Sequence, residues 1–454
     1  MSGIERNGGL GRRSIAVVGT GISGLSAAWL LAKAHDVTVY EAADRVGGHS
    51  NTLEIEVAGR RVAVDTGFIV YNEPCYPNLT ALFAHLDVET AATDMSFAVS
   101  IDRGRLEYAG SDLAGLLAQP SNLARPRFWS MIRDLLRFYR EAPRDLPRMG
   151  DISLAAYLDR GRYGAAFRED HLYPMAAAIW STPSAEVGDY PAAAFVRFCD
   201  NHGLLRLTGR PVWRTVRGGS REYVARLTAA FADRILTSTP AVSIRRDRDG
   251  VEILDATGTR RRFDDVVIAT HADRALALLE RPSDDERRLL GAFRYSMNEA
   301  VLHSDPDLMP RRRAAWASWN YLSDVREGDR ALSVTYWMNR LQPLGPCPDL
   351  FVTLNPLREP DPARVHARIA YDHPLFDAAT GRAQPELWSL QGVNRTWFCG
   401  AHFGAGFHED GLQAGLAVAE DLGGLRRPWS VADDSGRIHR TAIDPRPLLR
   451  EAAE

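Results

Sequence analysis

Ser14-Ile15-Ala16-Val17-Val18-Gly19-Thr20-Gly21-Ile22-Ser23-Gly24 runs on through a helical stretch, Leu25 to Lys33, to Val37-Thr38-Val39-Tyr40-Glu41. The order is apolar strand, glycine turn, helix, apolar strand and terminal acid, which is what a dinucleotide site requires. Gly19 permits the tight turn, Gly21 lets the backbone approach a pyrophosphate, and Gly24 lets helix and strand pack closely. The helix would present free N–H groups and the positive end of its dipole to the phosphates. Glu41, about twenty residues after the glycines, can accept hydrogen bonds from a ribose. Ile22 and Ser23 in the turn, and Ala42 beyond the acid, complete this first set of expected contacts.

The segment after Glu41 selects the dinucleotide. Asp44-Arg45-Val46-Gly47-Gly48-His49-Ser50-Asn51-Thr52 resembles the second glycine motif of the flavin amine oxidase, phytoene desaturase and protoporphyrinogen oxidase superfamily. That resemblance implies FAD, with Arg45, Gly47, Gly48 and His49 beside its pyrophosphate. His49 departs from the arginine common after the paired glycines, which leaves less fixed charge near the phosphates. Next, Asp65-Thr66-Gly67-Phe68 resembles the superfamily's DxG segment, which brings the chain to the isoalloxazine. It implies Thr66, Gly67 and Phe68 as flavin neighbours. Tyr71 stands as a flavin-side and catalytic candidate too, and for both Phe68 and Tyr71 a plain core aromatic is the equal alternative.

Composition sets outer limits. A chain of 454 residues, 45% hydrophobic and 25% charged, suits two intertwined globular domains. A net charge of −3 gives no electrostatic reason to expect a nucleic-acid partner. Four scattered cysteines without a CxxC pair suggest neither a metal cluster nor a disulfide framework, so no metal and a reducing cytoplasm are expected. The first dozen residues are polar and glycine-rich, and no apolar run reaches spanning length. The expected location is cytoplasmic, with peripheral contact on the inner membrane face left open. Lys33 is the sole lysine.

The expected fold is α/β: a Rossmann-type FAD domain interleaved with an α+β substrate domain of mixed sheet and helices. Three FAD segments (1–72, 216–275, 391–425) alternate with two substrate segments (73–215, 276–390) and precede a tail (426–454). In the first substrate segment, 74–90 reads as a helix, 95–108 as two short strands, and 112–206 as a mostly helical insertion. Within the insertion, Phe128, Ile132, Leu135, Leu136 and Tyr139 share one helical face. Arg133, Arg137, Arg140 and Arg144 follow another, with Trp129 at the boundary. The pattern over 125–140 suits either a membrane-surface helix or an ordinary amphipathic one. Met175, Ile179, Trp180, Tyr190, Phe195 and Phe198 could line a long apolar pocket or simply pack.

In the second FAD segment, the resemblance implies a backbone contact from Val242 to adenine, with the small residues Ala269 and Thr270 bordering the cofactor. No second GxGxxG appears after it, so reoxidation by oxygen, a quinone or an acceptor protein is expected. The closing motif, Trp397 to Leu412 with a helix from Gln413 to Leu422, resembles the superfamily's last flavin motif. Gly400, Ala401, Gly411 and Leu412 are the implied contacts, although Ala401 replaces the usual acid.

The narrower resemblance is to FAD-binding amine-oxidase-like proteins associated with cyclopropane-synthase-like enzymes and with methylated or furan fatty acids. It implies desaturation of a methyl-branched or unsaturated lipid acyl chain, with hydride passing to the flavin. The lysine–water pair of many amine oxidases is excluded, because Lys33 sits in the nucleotide helix. His402 and His408 are candidate proton acceptors, while Glu409 and Asp410 could equally cap the following helix. Three alternatives remain: an amine oxidase with another water holder, a non-redox flavin isomerase, and a lipid-binding protein with structural FAD.

Overall fold

The computed structural model describes residues 11–110, 112–180, 187–326 and 329–442. Readings of the extreme N-terminus, the end of the tail and the Trp180 side chain lie outside the described residues.

Five parallel strands carry the nucleotide motifs. In spatial order they are Ile235–Leu236, Asp36–Tyr40, Ser14–Val18, Asp265–Ile268 and Thr396–Phe398. They come from three separated lengths of chain, one in each expected FAD segment. Ile15, Ala16 and Val17 are completely buried, as both faces of a covered parallel sheet demand. The helix Ile22–Leu31 is buried along its whole length, and the final helix, His408–Gly423, packs across it. Small residues allow the contact: a Cβ on Gly415 would lie 2.1 Å from the Ser23 carbonyl oxygen.

A second, seven-stranded sheet has the order Val365–Leu375, Arg294–His303, Phe351–Leu354, Asp329–Trp337, Trp319–Arg326, Phe97–Ile101 and Leu106–Ala109. Trp319–Arg326 pairs in parallel with Phe97–Ile101, and its other neighbours are antiparallel. The helical block packs on this sheet and forms a second hydrophobic core, distinct from the one around the parallel sheet.

Several boundaries differ from the sequence reading. The helix expected over 74–90 is Pro77–His85, followed by the strand Thr90–Thr93. The last helix begins at His408 instead of Gln413, so Glu409 and Asp410 lie in its first turn. The amphipathic helix runs from Pro126 to Asp145, but its buried face is Phe128, Met131, Asp134, Phe138 and Ala142. Leu136 is 47% exposed, and Arg137 leaves the basic face to lie 3.9 Å over the Tyr163 ring. The apolar count alone could not tell the core-facing side from an exposed one. The tail, unassigned by sequence, folds back: Arg427 is buried against Glu420 at 2.7 Å, and Arg437 Nε lies 2.7 Å from Asp410.

Candidate functional site

A cavity of about 930 Å³ runs between the two cores and joins the nucleotide loops to the face of the seven-stranded sheet. At one end it is lined by Gly19, Gly21, Ile22, Ser23, Glu41, Ala42, Gly48, His49, Thr66, Gly67 and Phe68. Val242, Ala269, Thr270, Gly400 and Ala401 complete that end. The remaining expected contacts lie behind the wall. Gly24 presses on the first turn, where a Cβ would meet the Gly19 carbonyl oxygen at 2.0 Å. A Gly47 Cβ would meet the Ser50 oxygen at 2.7 Å, and one on Gly411 the Ser23 hydroxyl at 2.8 Å. Leu412 is fully buried in the final helix. Arg45 donates to the Gly48 oxygen at 2.8 Å and keeps its other terminal nitrogen buried without a partner among the described residues.

This end fits FAD on local geometry. Around Gly21 nothing would obstruct even a Cβ within 4 Å, so a ligand can approach the backbone there. Gly21 caps the Ile22–Leu31 helix without a capping side chain, which leaves the first N–H groups for an anion. Glu41 is fixed at the strand end, where it accepts hydrogen bonds from the Thr20 N–H at 3.0 Å and the Ala43 N–H at 2.8 Å. Val242 occupies a bulge, skipped between the Ala241–Asp255 and Ser243–Leu254 pairs. A bulged residue is spared from the ladder, which frees the Val242 backbone for a base edge. The Phe68 N–H donates to the His49 oxygen at 2.7 Å, which ties the DxG segment to the second glycine motif.

Histidine dominates the polar wall. His49 stacks on Tyr371 at 4.9 Å and lies 5.6 Å from His373 and 6.5 Å from His271, ring to ring. His271 stacks on Tyr295 at 4.3 Å. Burial pushes His49 down to about 3 and His373 to about 4, so both are neutral near pH 7. His49 therefore supplies no fixed cation where the superfamily often has arginine. His271, Tyr295, Tyr371 and His373 went unnoticed in the sequence, because three separate elements bring them to His49.

The catalytic candidates separate. His408 lines the cavity, stacks on Phe68 at 3.9 Å, and has Nε2 2.7 Å from the Tyr223 hydroxyl. Burial lowers its pKa to about 3. His402 also lines the cavity; burial lowers it similarly, and its ring is edge-on to Phe293. Tyr71 is absent from the wall. It is 2% exposed, on the short strand Tyr71–Asn72, and packs edge-on to Tyr76 and Phe83. Its neighbours Ile69 and Val70 face the cavity instead.

Glu409 has a structural partner far away in the chain. Its carboxylate accepts hydrogen bonds from the backbone N–H groups of Asn78 and Leu79, both at 3.0 Å, at the start of the Pro77–His85 helix. It thus caps another helix, not its own. Asp410 accepts from the Phe407 N–H at 2.7 Å and does cap its own helix.

The other arm of the cavity is apolar and aromatic. Met95, Phe97, Met175, Ile179, Phe198, Leu204, Trp213, Trp319, Tyr336 and Leu354 form it, with Ser96 and His202 as polar members. Phe198 stacks on Phe407 at 4.7 Å and on His202 at 4.0 Å. Among the described residues, no aspartate, glutamate, lysine or arginine lines this arm; the charged wall residues, Glu41, Arg274 and Asp372, belong elsewhere in the cavity. Tyr190 and Phe195 are absent from the wall.

Known proteins resemble this chain in sequence and, among solved structures, in fold. A coproporphyrinogen III oxidase of Mycobacterium leprae is 25% identical over 288 residues, 59% of this chain and 62% of the relative. The chain thus matches under two thirds of that relative's length. Putrescine oxidase bound to putrescine superposes with a TM-score of 0.65 at 15% identity, over 90% of this chain and 99% of the other. A CLA-producing fatty acid isomerase from P. acnes gives 0.62 at 15% identity, over 90% and 97%. The model of flavin containing amine oxidoreductases matches residues 22–301, more than half of the sequence, from within the first glycine motif through the second, and the chain belongs to that family.

Proposed function

We propose that this protein is an FAD-dependent oxidoreductase that dehydrogenates a carbon–carbon bond in a methyl-branched or unsaturated lipid acyl chain. The observation that carries the reading is the uncharged aromatic arm continuous with the nucleotide end of the cavity. A protonated amine would find no carboxylate in that arm, and a carboxylate-bearing tetrapyrrole no arginine or lysine. An acyl chain needs neither, and burial of its methylenes contributes about 0.8 kcal/mol each. Lys33, the sole lysine, lies 3.7 Å over the Trp29 ring on the nucleotide helix, which removes a lysine-held water from the chemistry.

When bound, FAD supplies the hydride acceptor. The chain's own residues orient the substrate and manage the proton. Phe198, Phe407 and Trp213 hold an acyl segment by their faces and exclude water. His408 is held by Phe68 and by the Tyr223 hydroxyl on Nε2, which leaves Nδ1 without a partner among the described residues. Neutral because of burial, it can accept a proton at that atom.

Anaerobic titration of the oxidised protein with phospholipids bearing methyl-branched or unsaturated chains tests the reading, with amines run alongside. Lipid is expected to remove the visible flavin absorbance and to gain a double bond. Bleaching by amines alone would return the reaction to amine oxidation. If neither bleaches the flavin, the dehydrogenase reading fails and an isomerase or a structural flavin replaces it.

A further inference from the structure

The outward side of the Pro126–Asp145 helix has a composition that its packing does not explain. At 3.6 residues per turn, Arg125, Trp129, Arg133, Leu136, Arg140 and Arg144 fall within about 100° of arc. Trp129 and Leu136 are 49% and 47% exposed. The Arg133 and Arg140 side chains are 72% and 63% exposed, and each touches one neighbouring acid, Asp134 at 3.3 Å and Glu141 at 2.9 Å, which leaves donors of both facing solvent. Residues 125–148 contain seven arginines against three acids. Asp134 is buried, while Glu141 and Asp145 lie off the stripe by the same periodicity. The indole is fixed, with Trp129 Nε1 donating to the Leu123 oxygen at 2.9 Å, and Leu123 is itself 47% exposed.

A second exposed apolar pair lies beside it. Leu207 and Val212 are 61% and 62% exposed, in a segment that also carries Arg206 and Arg210. The Arg210 charge is near enough to act on Tyr139, on this helix, and on His171. Leu204 and Trp213, at the two ends of the same segment, line the apolar arm of the cavity. From the helix side, the Tyr139 hydroxyl lies 3.2 Å from His171, whose ring is 6.5 Å from the cavity residue Phe97.

We propose that this face docks on an anionic lipid bilayer. Trp129, Leu136, Leu207 and Val212 enter the boundary between headgroups and acyl chains, and Arg133, Arg140 and Arg144 lie on the lipid phosphates. Charge complementarity selects the partner: single apolar side chains alternate with arginines along one helix face, as an interfacial helix requires. An indole fixed at the surface suits the headgroup level. A protein groove would instead call for a contiguous apolar ridge. The location beside the cavity wall puts the apolar arm next to the source of acyl chains.

Sedimentation of the full-length, FAD-loaded protein with vesicles tests this without any turnover assay, so it stands or falls separately from the dehydrogenase reading. The expected result is binding to mixed phosphatidylcholine and phosphatidylglycerol vesicles at low salt. Pure phosphatidylcholine, or high salt, should weaken it strongly. Because each surface arginine contributes about a fivefold preference, the R133E/R140E/R144E variant should bind on the order of a hundredfold less. A second variant, Trp129→Ser with Leu136→Ser, should lose binding at unchanged charge; retained flavin absorbance certifies the fold of both. Equal sedimentation with neutral and anionic vesicles, no sedimentation with either, or wild-type binding by the arginine variant would overturn the proposal.

Discussion

At the scale of single residues, the site depends on side chains kept neutral. His408 lies between Phe68 and Tyr223, and burial holds its pKa near 3. An imidazole that stays uncharged near pH 7 keeps its lone pair, while the same burial makes it a weak base. Replacing it with alanine should slow anaerobic flavin reduction by lipid a hundredfold or more, on the ordinary scale of acid–base catalysis of about 10²–10⁴. FAD retention, read from the absorbance spectrum after gel filtration, should not change. Reduction at the wild-type rate would remove His408 from the chemistry. Glu409, its chain neighbour, is excluded from that role: four hydrogen bonds fix its carboxylate, from Asn78 N and Nδ2, Leu79 N and Gln413 Nε2.

At the scale of elements, the two glycine-bearing helices form a close joint. The Ile22–Leu31 and His408–Gly423 helices meet where Gly415 faces the Ser23 carbonyl, and a Cβ would come to 2.1 Å. Gly415→Ala must separate them. The expected loss is about 2 kcal/mol, within the usual range for overpacking, together with weaker FAD retention, because both helix N-termini border the cofactor end. Thermal unfolding of holo and apo protein checks it; an unchanged melting temperature would mean the joint is looser than its geometry. The same contrast explains what the sequence could reveal. The nucleotide end is written in short spacings, Gly19 to Glu41 and Arg45 to Phe68, where each motif implies its own turn or helix start. The acyl arm has no such grammar: Met95, Met175, Phe198, Trp213 and Trp319 come from separate segments, and only the fold brings them together. Glu409 misled for the same reason. A local rule gave it to its own helix, whereas its partner Asn78 is 331 positions away. On Pro126–Asp145 the apolar count was right in kind but not in direction, because Met131 and Phe138 turn inward while Leu136 turns out.

At the scale of the whole molecule, the buried histidines make acid sensitivity a property of the fold. His49, His402 and His408 are lowered to about 3, and His171, His202, His303 and His373 to about 4, in each case chiefly by burial. Unfolding returns each to the ordinary histidine value near 6.5. The unfolded chain therefore binds more protons as pH falls through 6.5, and stability present above that pH is lost toward 4. Four buried carboxyls oppose this, Asp65, Asp265, Glu409 and Asp410, each raised chiefly by burial. Asp65 and Asp265 are raised to about 6 by burial, so each contributes stability on protonation, fully present below about 4 and lost as pH rises through 6. Seven strongly lowered histidines, joined by His85, His271 and His366, outweigh four raised carboxyls and decide the sign. The melting temperature of the FAD-loaded protein should fall by about 3 °C from pH 7 to pH 5, as a few kcal/mol would require in a chain of 454 residues. Replacing His303, which lies away from the cavity and bonds Thr353 at 2.7 Å, with asparagine should make that fall shallower and leave lipid-dependent flavin reduction intact. A melting temperature that is flat, or higher at pH 5, would mean that the histidines are hydrated in solution and that the cavity is not the dry enclosure its walls describe.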